Sequence, residues 1–402
     1  MTGSYIHREL EKKLTSLSKS SPSIALTGPR QSGKSTLLKH LFGKTHRYVT
    51  FDDPLIREKA ILDPELFLEE NSDKLILDEI QYVPEILSYL KILIDEKRNK
   101  AGRFIITGSQ QFTLIKNLGD SLAGRIALLE LLPFSTNEIK DKLENKKSVL
   151  DLFIYSCLNG LYPELVTKRT KDLDNWYAAY INTYLERDIR TIYDIGNLRD
   201  FSRFLQLLAS RTGQILNLST FASEIGISVN AIKKWVSILE ASRIIYLLSP
   251  YYETMGKRIS KSPKVYFLDC GLVCYLTGIT NKSHLIKGPM AGQLFETFCI
   301  QETVKTFFNS GEKPNIFYIR TQNDLEVDLI VKLADKLYPI EIKLNKTPKV
   351  SMANSIRRFK ETFTSLNIQN GFILSLSSEE HYLSKEVRLI NFDSYINFLK
   401  KS

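Results

Sequence analysis

Short apolar runs recur along the first third of the chain. SIALTG, RYVTFDD, KLILDE, RFIITGS and RIALLEL fall between Ile24 and about Leu132, separated by helix-length stretches. β-prone runs alternating with helical segments predict an α/β arrangement, a parallel sheet with crossover helices. The rhythm ends at LLPFSTNEI, where Ser135, three residues before Glu138, caps a new helix. From there to about Leu208 the spacing is helical, with a polar break at LENKKS and a turn at NGLYPE ahead of the aromatic segment NWYAAYINTYLERDI. LSTFASEIGISVNAIKKWVSILEASRIIYLLSPYY then predicts a helix, a turn around Gly226, and a second helix whose Ile232, Val236 and Leu239 face a core. With the hairpin that follows, this is the outline of a helix-turn-helix and wing. It directs Ser228, Asn230, Lys233 and Lys234 outward, and the hairpin KRISKSPK adds Lys257, Arg258, Lys261 and Lys264. From about Gly288 the chain mixes a helix, several strands and a helix-rich tail.

The first of these strands runs into GPRQSGKST, which satisfies G-x-x-x-x-G-K-[ST] with a strand before it and an apolar-periodic helix after it. In such a loop Gly28 and Gly33 let backbone N–H groups turn toward phosphates, and the helix start adds a favourable dipole. Gly28, Pro29, Arg30, Gln31, Ser32, Gly33, Lys34, Ser35 and Thr36 are therefore the expected nucleotide cradle. Lys34 reaches the outer phosphates and Ser35 holds magnesium. A P-loop also needs a carboxylate on a neighbouring strand, and KLILDE delivers Asp78 as the metal's partner and Glu79 to polarise the attacking water. RFIITGSQ ends in Ser109 and Gln110. Ser109 is a candidate sensor of the terminal phosphate, or else the cap of the next helix. Arg125, in SLAGR, is a candidate to stabilise the transferring phosphoryl group within its own subunit or across an interface. Its alternative is a surface ion pair.

A second constellation lies in the last third: Glu296 in GQLFETFCIQE on an amphipathic stretch, Asp328 in LEVDLIV, and Glu341 with Lys343 in YPIEIK. Period-two alternation puts Glu341 and Lys343 on one strand face, and KLADKLY fits a hairpin joining them to Asp328. Carboxylates beside a lysine suit a metal-dependent phosphodiesterase, with oxygen ligands for magnesium or manganese from Glu296, Asp328 and Glu341. The ammonium then positions or deprotonates water. Glu326 precedes Asp328 by two, so a different strand register would present Glu326 instead.

Length, composition and charge narrow the picture further. A chain of 402 residues predicts two or three domains, and 25% charged with 43% hydrophobic residues excludes a disordered or fibrous class. No apolar run approaches the roughly 18 residues that span a bilayer, and MTGSYIHRELEKKL lacks a secretory core, so a cytoplasmic address is expected. Cys157, Cys270, Cys274 and Cys299 show no zinc-binding spacing, which favours buried thiols. A net charge of +10 permits a phosphate-rich partner without identifying one.

The assembled blocks GPRQSGKST, YVTFDDP, LILDEIQ, FIITGSQ, SLAGR, LLPFS, GLYPE, YLERDI, YFLDCGL, GQLFE, RTQNDLEVDLIV and PIEIK resemble a bacterial and archaeal family of AAA+ superfamily ATPases over nearly the whole chain. The resemblance implies an ATP-binding module at 1–140 and a PD-(D/E)XK restriction-endonuclease-like domain at 281–402, and the residue spacing places a helical region at 141–210 and a winged-helix-like region at 211–280 between them. The resemblance carries over Lys34, Ser35, Asp78 and Glu79 as ATP and magnesium residues, and Glu296, Asp328, Glu341 and Lys343 as the nuclease-like set. Asp269, in YFLDCGL, matches without an evident chemical role. The expected function is ATP hydrolysis coupled to nucleic acid, DNA before RNA, with cleavage or binding by the last domain. The alternative is an ATP-dependent switch or scaffold whose last domain only docks protein or nucleic acid. A homo-oligomer is compatible with both.

Overall fold

The computed structural model describes residues 5–71, 73–108, 122–143, 148–168, 172–185, 198–251, 262–321 and 325–400. The five early apolar runs are strands: β1 (Ser23–Thr27), β2 (Arg47–Thr50), β3 (Leu75–Asp78), β4 (Phe104–Thr107) and β5 (Ile126–Glu130). They form one sheet in the order β2-β3-β4-β1-β5, with every pair parallel. β1, β3 and β4 are buried along their whole length, as parallel strands covered on both faces must be. Alternation divides their side chains between two cores. Ile24, Leu26, Ile76 and Ile105 pack against Leu37, Leu38 and Phe42 of the helix Lys34–Phe42, while Ala25, Leu75, Leu77 and Ile106 pack against Leu87, Leu90 and Ile94 of the helix Ile86–Glu96. Because all strands run one way, the carboxyl ends of β1, β3 and β4 meet at one edge, where a ligand crevice forms in such sheets.

Ser135 begins a capping box with Glu138, as expected. Helices Val149–Asn159, Pro163–Lys168, Leu173–Tyr180 and Leu198–Ser210 follow. Helices Leu218–Ile225 and Val229–Ala241 meet at Gly226, whose φ of 85° lets the first helix end in a left-handed turn. Ile232, Val236 and Leu239 are buried, and Lys233 and Lys234 are exposed. The antiparallel pair β6 (Ile245–Leu248) and β7 (Lys264–Phe267) comes next. Lys257, Arg258 and Lys261 lie outside the described residues. Lys264 does not join a basic outer face: it is 3% exposed and turned inward among carboxylates.

The last sheet has β8 (Ile316–Arg320), β9 (Glu326–Leu333), β10 (Lys336–Lys343), β11 (Gly371–Ser375), β12 (His381–Ser384) and β13 (Val387–Ile390) in the order β12-β13-β11-β10-β9-β8. It is mixed: β8, β9 and β10 are antiparallel, while β10, β11 and β13 are parallel. Across it lies the helix Ala291–Asn309, in which 16 of 19 residues are buried, so the amphipathic stretch expected there is enclosed on every side. Its polar side chains find partners instead of solvent. Gln301 joins Cys270 N to Ser156, Glu302 accepts from the backbone and hydroxyl of Thr136, Thr303 meets Tyr395, and Lys305 donates to Phe134 O. One hydrophobic cluster takes in Ile6 and runs from Leu132 to Leu399 through the segments expected as separate units.

Candidate active site

The loop after β1 turns sharply at two glycines. A Cβ on Gly28 would stand 2.1 Å from Leu131 O, and Gly33 sits at φ 91°. Both positions exclude an ordinary side chain. Pro29 and Ser32 are buried, Arg30 and Gln31 are partly exposed, and Thr36 points to solvent from the first helical turn. Lys34 is 6% exposed and donates to Gly28 O at 3.0 Å and Pro29 O at 2.9 Å, so its ammonium lies inside the loop. The Ser32 hydroxyl is buried without a hydrogen-bond partner, a donor left over in a loop shaped for an anion.

Asp78, at the carboxyl end of β3, gathers three hydroxyls. Ser35 Oγ donates to Oδ2 at 2.7 Å, Tyr48 donates to the same oxygen, and Thr107 at the end of β4 donates to Oδ1. The loop serine and the strand carboxylate are therefore adjacent, as a shared magnesium ion requires, and the residues fit that ion. Glu79 follows at φ 57° and ψ 47°, a left-handed conformation uncommon for glutamate, and accepts from Gln81. Asp52, in the FDD turn after β2, is the member that sequence reasoning missed. Burial and the charges of Glu79 and Asp78 raise its carboxyl above the ordinary range, with Arg30 and Arg57 opposing. Its signal was a carboxylate pair directly after an apolar run.

Ser109 and Gln110 lie outside the described residues. Arg125 is not brought to the cradle. It precedes β5, whose first residue pairs with Ser23 at the start of β1, whereas the loop leaves β1 at its other end. It makes a bidentate pair with Asp95 at 2.7 and 2.8 Å, which removes an own-subunit role at the cradle. Two other arginines reach the loop's surroundings. Arg8, 5% exposed, donates to Ser32 O at 3.0 Å, Leu132 O at 2.7 Å and Glu138 Oε1 at 2.9 Å. Arg243, in the turn before β6, pairs in bidentate fashion with Glu130 at the carboxyl end of β5, at 2.6 and 2.8 Å. Leu131, the residue next to Glu130, is the one that packs on Gly28.

The C-terminal constellation is also assembled, in a different form. β9 and β10 form a hairpin whose last paired residues are Ile340 and Leu329, which puts Asp328 opposite Glu341. Lys343 Nζ stands 3.0 Å from Asp328 Oδ2 and 2.7 Å from Glu341 Oε2, while Ile342 N–H donates to Asp328 and Ser355 Oγ to Glu341. Glu326 turns to Lys264 and Arg320, so the register selects Asp328. Glu296 is held by Lys264 at 3.3 Å and by Tyr266. The expected metal set of Glu296, Asp328 and Glu341 does not form a compact three-ligand group among the described residues. The reason is that Lys343 separates two of the carboxylates and Lys264 draws off the third. Burial and the neighbouring Asp328 charge push Glu341 up to about 8. Burial works to raise Asp328 too, but Lys343 and Lys264 outweigh it and hold that carboxyl below its usual value. The hairpin thus shifts its two carboxyls in opposite directions, Asp328 down and Glu341 up, the kind of division that acid and base roles use.

Asp269 receives a structural role. It caps the helix Cys270–Thr277 through Leu272 N–H and accepts from Tyr177 OH at 2.6 Å and Leu161 N–H at 3.0 Å.

A family profile for an AAA domain matches residues 20–140, and profiles for two domains of unknown function, DUF8612 and DUF4143, match residues 150–283 and 291–395. An uncharacterized protein of Mycobacterium tuberculosis is 31% identical over 332 residues, 82% of this chain and 72% of that protein. An uncharacterized protein of Methanocaldococcus jannaschii is 25% identical over 373 residues, 85% of this chain and 79% of that one. Among solved structures, a Walker-type ATPase of Pyrococcus abyssi aligns with TM-score 0.47 at 15% identity, over 68% of this chain and 96% of that chain. The RuvB Holliday junction branch migration motor of Thermotoga maritima aligns with TM-score 0.33 at 18% identity, over 60% and 90%. No described helix is long and apolar enough to cross a membrane.

Proposed function

We propose, for a chain that belongs to the family of the M. tuberculosis protein and carries an AAA domain of the P-loop ATPase class, that magnesium-dependent ATP hydrolysis drives an action on nucleic acid through the C-terminal unit. The observation that carries the ATPase half is the 2.7 Å contact between Ser35 and Asp78 beside the enclosed Lys34. Lys34 would leave the loop carbonyls for the outer phosphates, Ser35 and Asp78 would hold the metal, and Glu79 would orient and polarise the attacking water. Magnesium supplies charge neutralisation at the phosphate oxygens. Lys34→Ala is expected to abolish ATP turnover in a chain that still folds. Turnover retained at the wild-type rate would overturn the reading.

The nucleic-acid half rests on Lys343 standing within 3.0 Å of both Asp328 and Glu341 on one hairpin, with exposed Lys233 and Lys234 as a candidate DNA-facing surface. The four segments of the chain, 1–140, 141–210, 211–280 and 281–402, keep the roles expected of them in this proposal. Magnesium or manganese cleavage of DNA, lost in the Glu341→Ala, Lys343→Ala double variant, would support a nuclease. A second reading, an ATP-dependent switch whose last unit only binds, is favoured by the lysines already neutralising the carboxylates. It predicts ATP turnover with no cleavage in either metal.

A further inference from the structure

We propose that His7, Glu11 and His40 form a binding site for a divalent transition-metal ion of the zinc class, separate from the nucleotide cradle. The three side chains offer two imidazole nitrogens and one carboxylate oxygen, all within 4.8 Å of one another. His7 Nδ1 and Glu11 Oε2 are 3.3 Å apart. In the metal-free chain that contact is a hydrogen bond, and its length also matches the ligand-to-ligand edge of a tetrahedron built on bonds of about 2.05 Å, so an ion can replace the shared proton without moving the pair apart. His40, an exposed side chain in the last turn of the cradle helix Lys34–Phe42, brings its ring nitrogen within 4.8 Å of both.

The surroundings orient these ligands as partners of metal ligands do elsewhere. The second oxygen of Glu11 is fixed by Tyr5 OH and Arg8 N–H, each at 2.7 Å, which aims Oε2 at His7. The Tyr5 ring stacks on His40 with centroids 3.7 Å apart and meets His7 edge-on at 5.5 Å. Two imidazoles and one carboxylate suit zinc, cobalt or nickel over magnesium, and leave a fourth position for water. An ion held here would tie the segment before the helix Glu11–Leu17 to the far end of the cradle helix. Arg8, next to His7, is the residue that grips Ser32 O in the loop.

The test uses the full-length, untagged chain stripped of metal with EDTA, titrated with Zn2+ by calorimetry and with Co2+ by visible absorption, in excess Mg2+. One equivalent of Zn2+ is expected, undisturbed by Mg2+. A tetrahedral Co2+ spectrum and a metal-dependent rise in Tm should accompany it. His7→Ala and His40→Ala, both at exposed positions, are each expected to weaken Zn2+ at least tenfold and to remove the metal-dependent rise in Tm, each read against its own metal-free melting curve. No binding by the wild type, or binding of equal affinity in the His7→Ala, His40→Ala double variant, would overturn the proposal.

Discussion

At the cradle, the glycines, Lys34 and Ser35 lie within nine consecutive residues, and most of the geometry is backbone geometry. The C-terminal cluster draws Lys264, Glu296, Asp328, Glu341 and Lys343 from four elements, and its geometry is set by opposed side-chain charges. The contrast predicts different failures. Removing a side chain from the cradle takes away chemistry and leaves the fold, because the loop is shaped by glycine conformations and strand order. Removing one member of the cluster leaves a buried charge without its partner, which costs stability as well as any activity.

The sharpest test of the first half is Lys34→Ala. ATP turnover is expected to fall roughly 10²–10³-fold or beyond detection, by analogy with the loss of one charge-stabilising donor, while the urea midpoint stays near the wild-type value. Glu79→Gln comes next, with turnover down about 10²-fold and ATP still bound, as a fluorescent nucleotide would report. If both variants instead unfold, the cradle is as dependent on side-chain charge as the cluster is.

Arg243→Ala probes the join between the regions. Glu130 is 5% exposed, so losing its bidentate partner is expected to cost about 3–5 kcal/mol in urea denaturation. ATP turnover in this variant also shows whether the Glu130–Arg243 pair relays the state of the loop, since the neighbouring Leu131 packs on Gly28.

The charge balance of the cluster is tested by pH. Burial and the Asp328 charge push Glu341 up to about 8 in the folded chain, from an ordinary value of 4.5. Between those values the unfolded chain has released the proton and the folded chain still holds it, so stability falls as pH rises across the window. Glu296, also raised by burial, adds in the same direction. Glu341→Gln is expected to flatten this part of the stability profile. An unchanged slope would place the proton elsewhere. The smallest effect is expected for Arg125→Ala, whose exposed pair with Asp95 should leave the melting midpoint where it was. A drop in turnover that depends on protein concentration would instead assign Arg125 to a neighbouring subunit's cradle.

Much of this was legible in the sequence where the determinants are local. GPRQSGKST fixes a loop because glycine alone tolerates the turns at Gly28 and Gly33. Five apolar runs at helix-length spacing determine a parallel sheet, and Ser135 with Glu138 announces its capping box. Alternation alone placed Glu341 beside Lys343. Only the tertiary structure decided which distant groups share a low-dielectric space. It turned Lys264 from a basic hairpin into the partner of Glu296, moved Arg125 to the far edge of the sheet, and set the exposed Asp52 within reach of the charges of Asp78 and Glu79. It also enclosed a helix that carries Gln301, Glu302 and Lys305 by giving each of them a partner from another part of the chain. Periodicity and turn chemistry act over a few residues and are written in neighbouring letters, whereas the pairing of buried charges depends on which chain segments pack together, and sequence spacing carries no record of that.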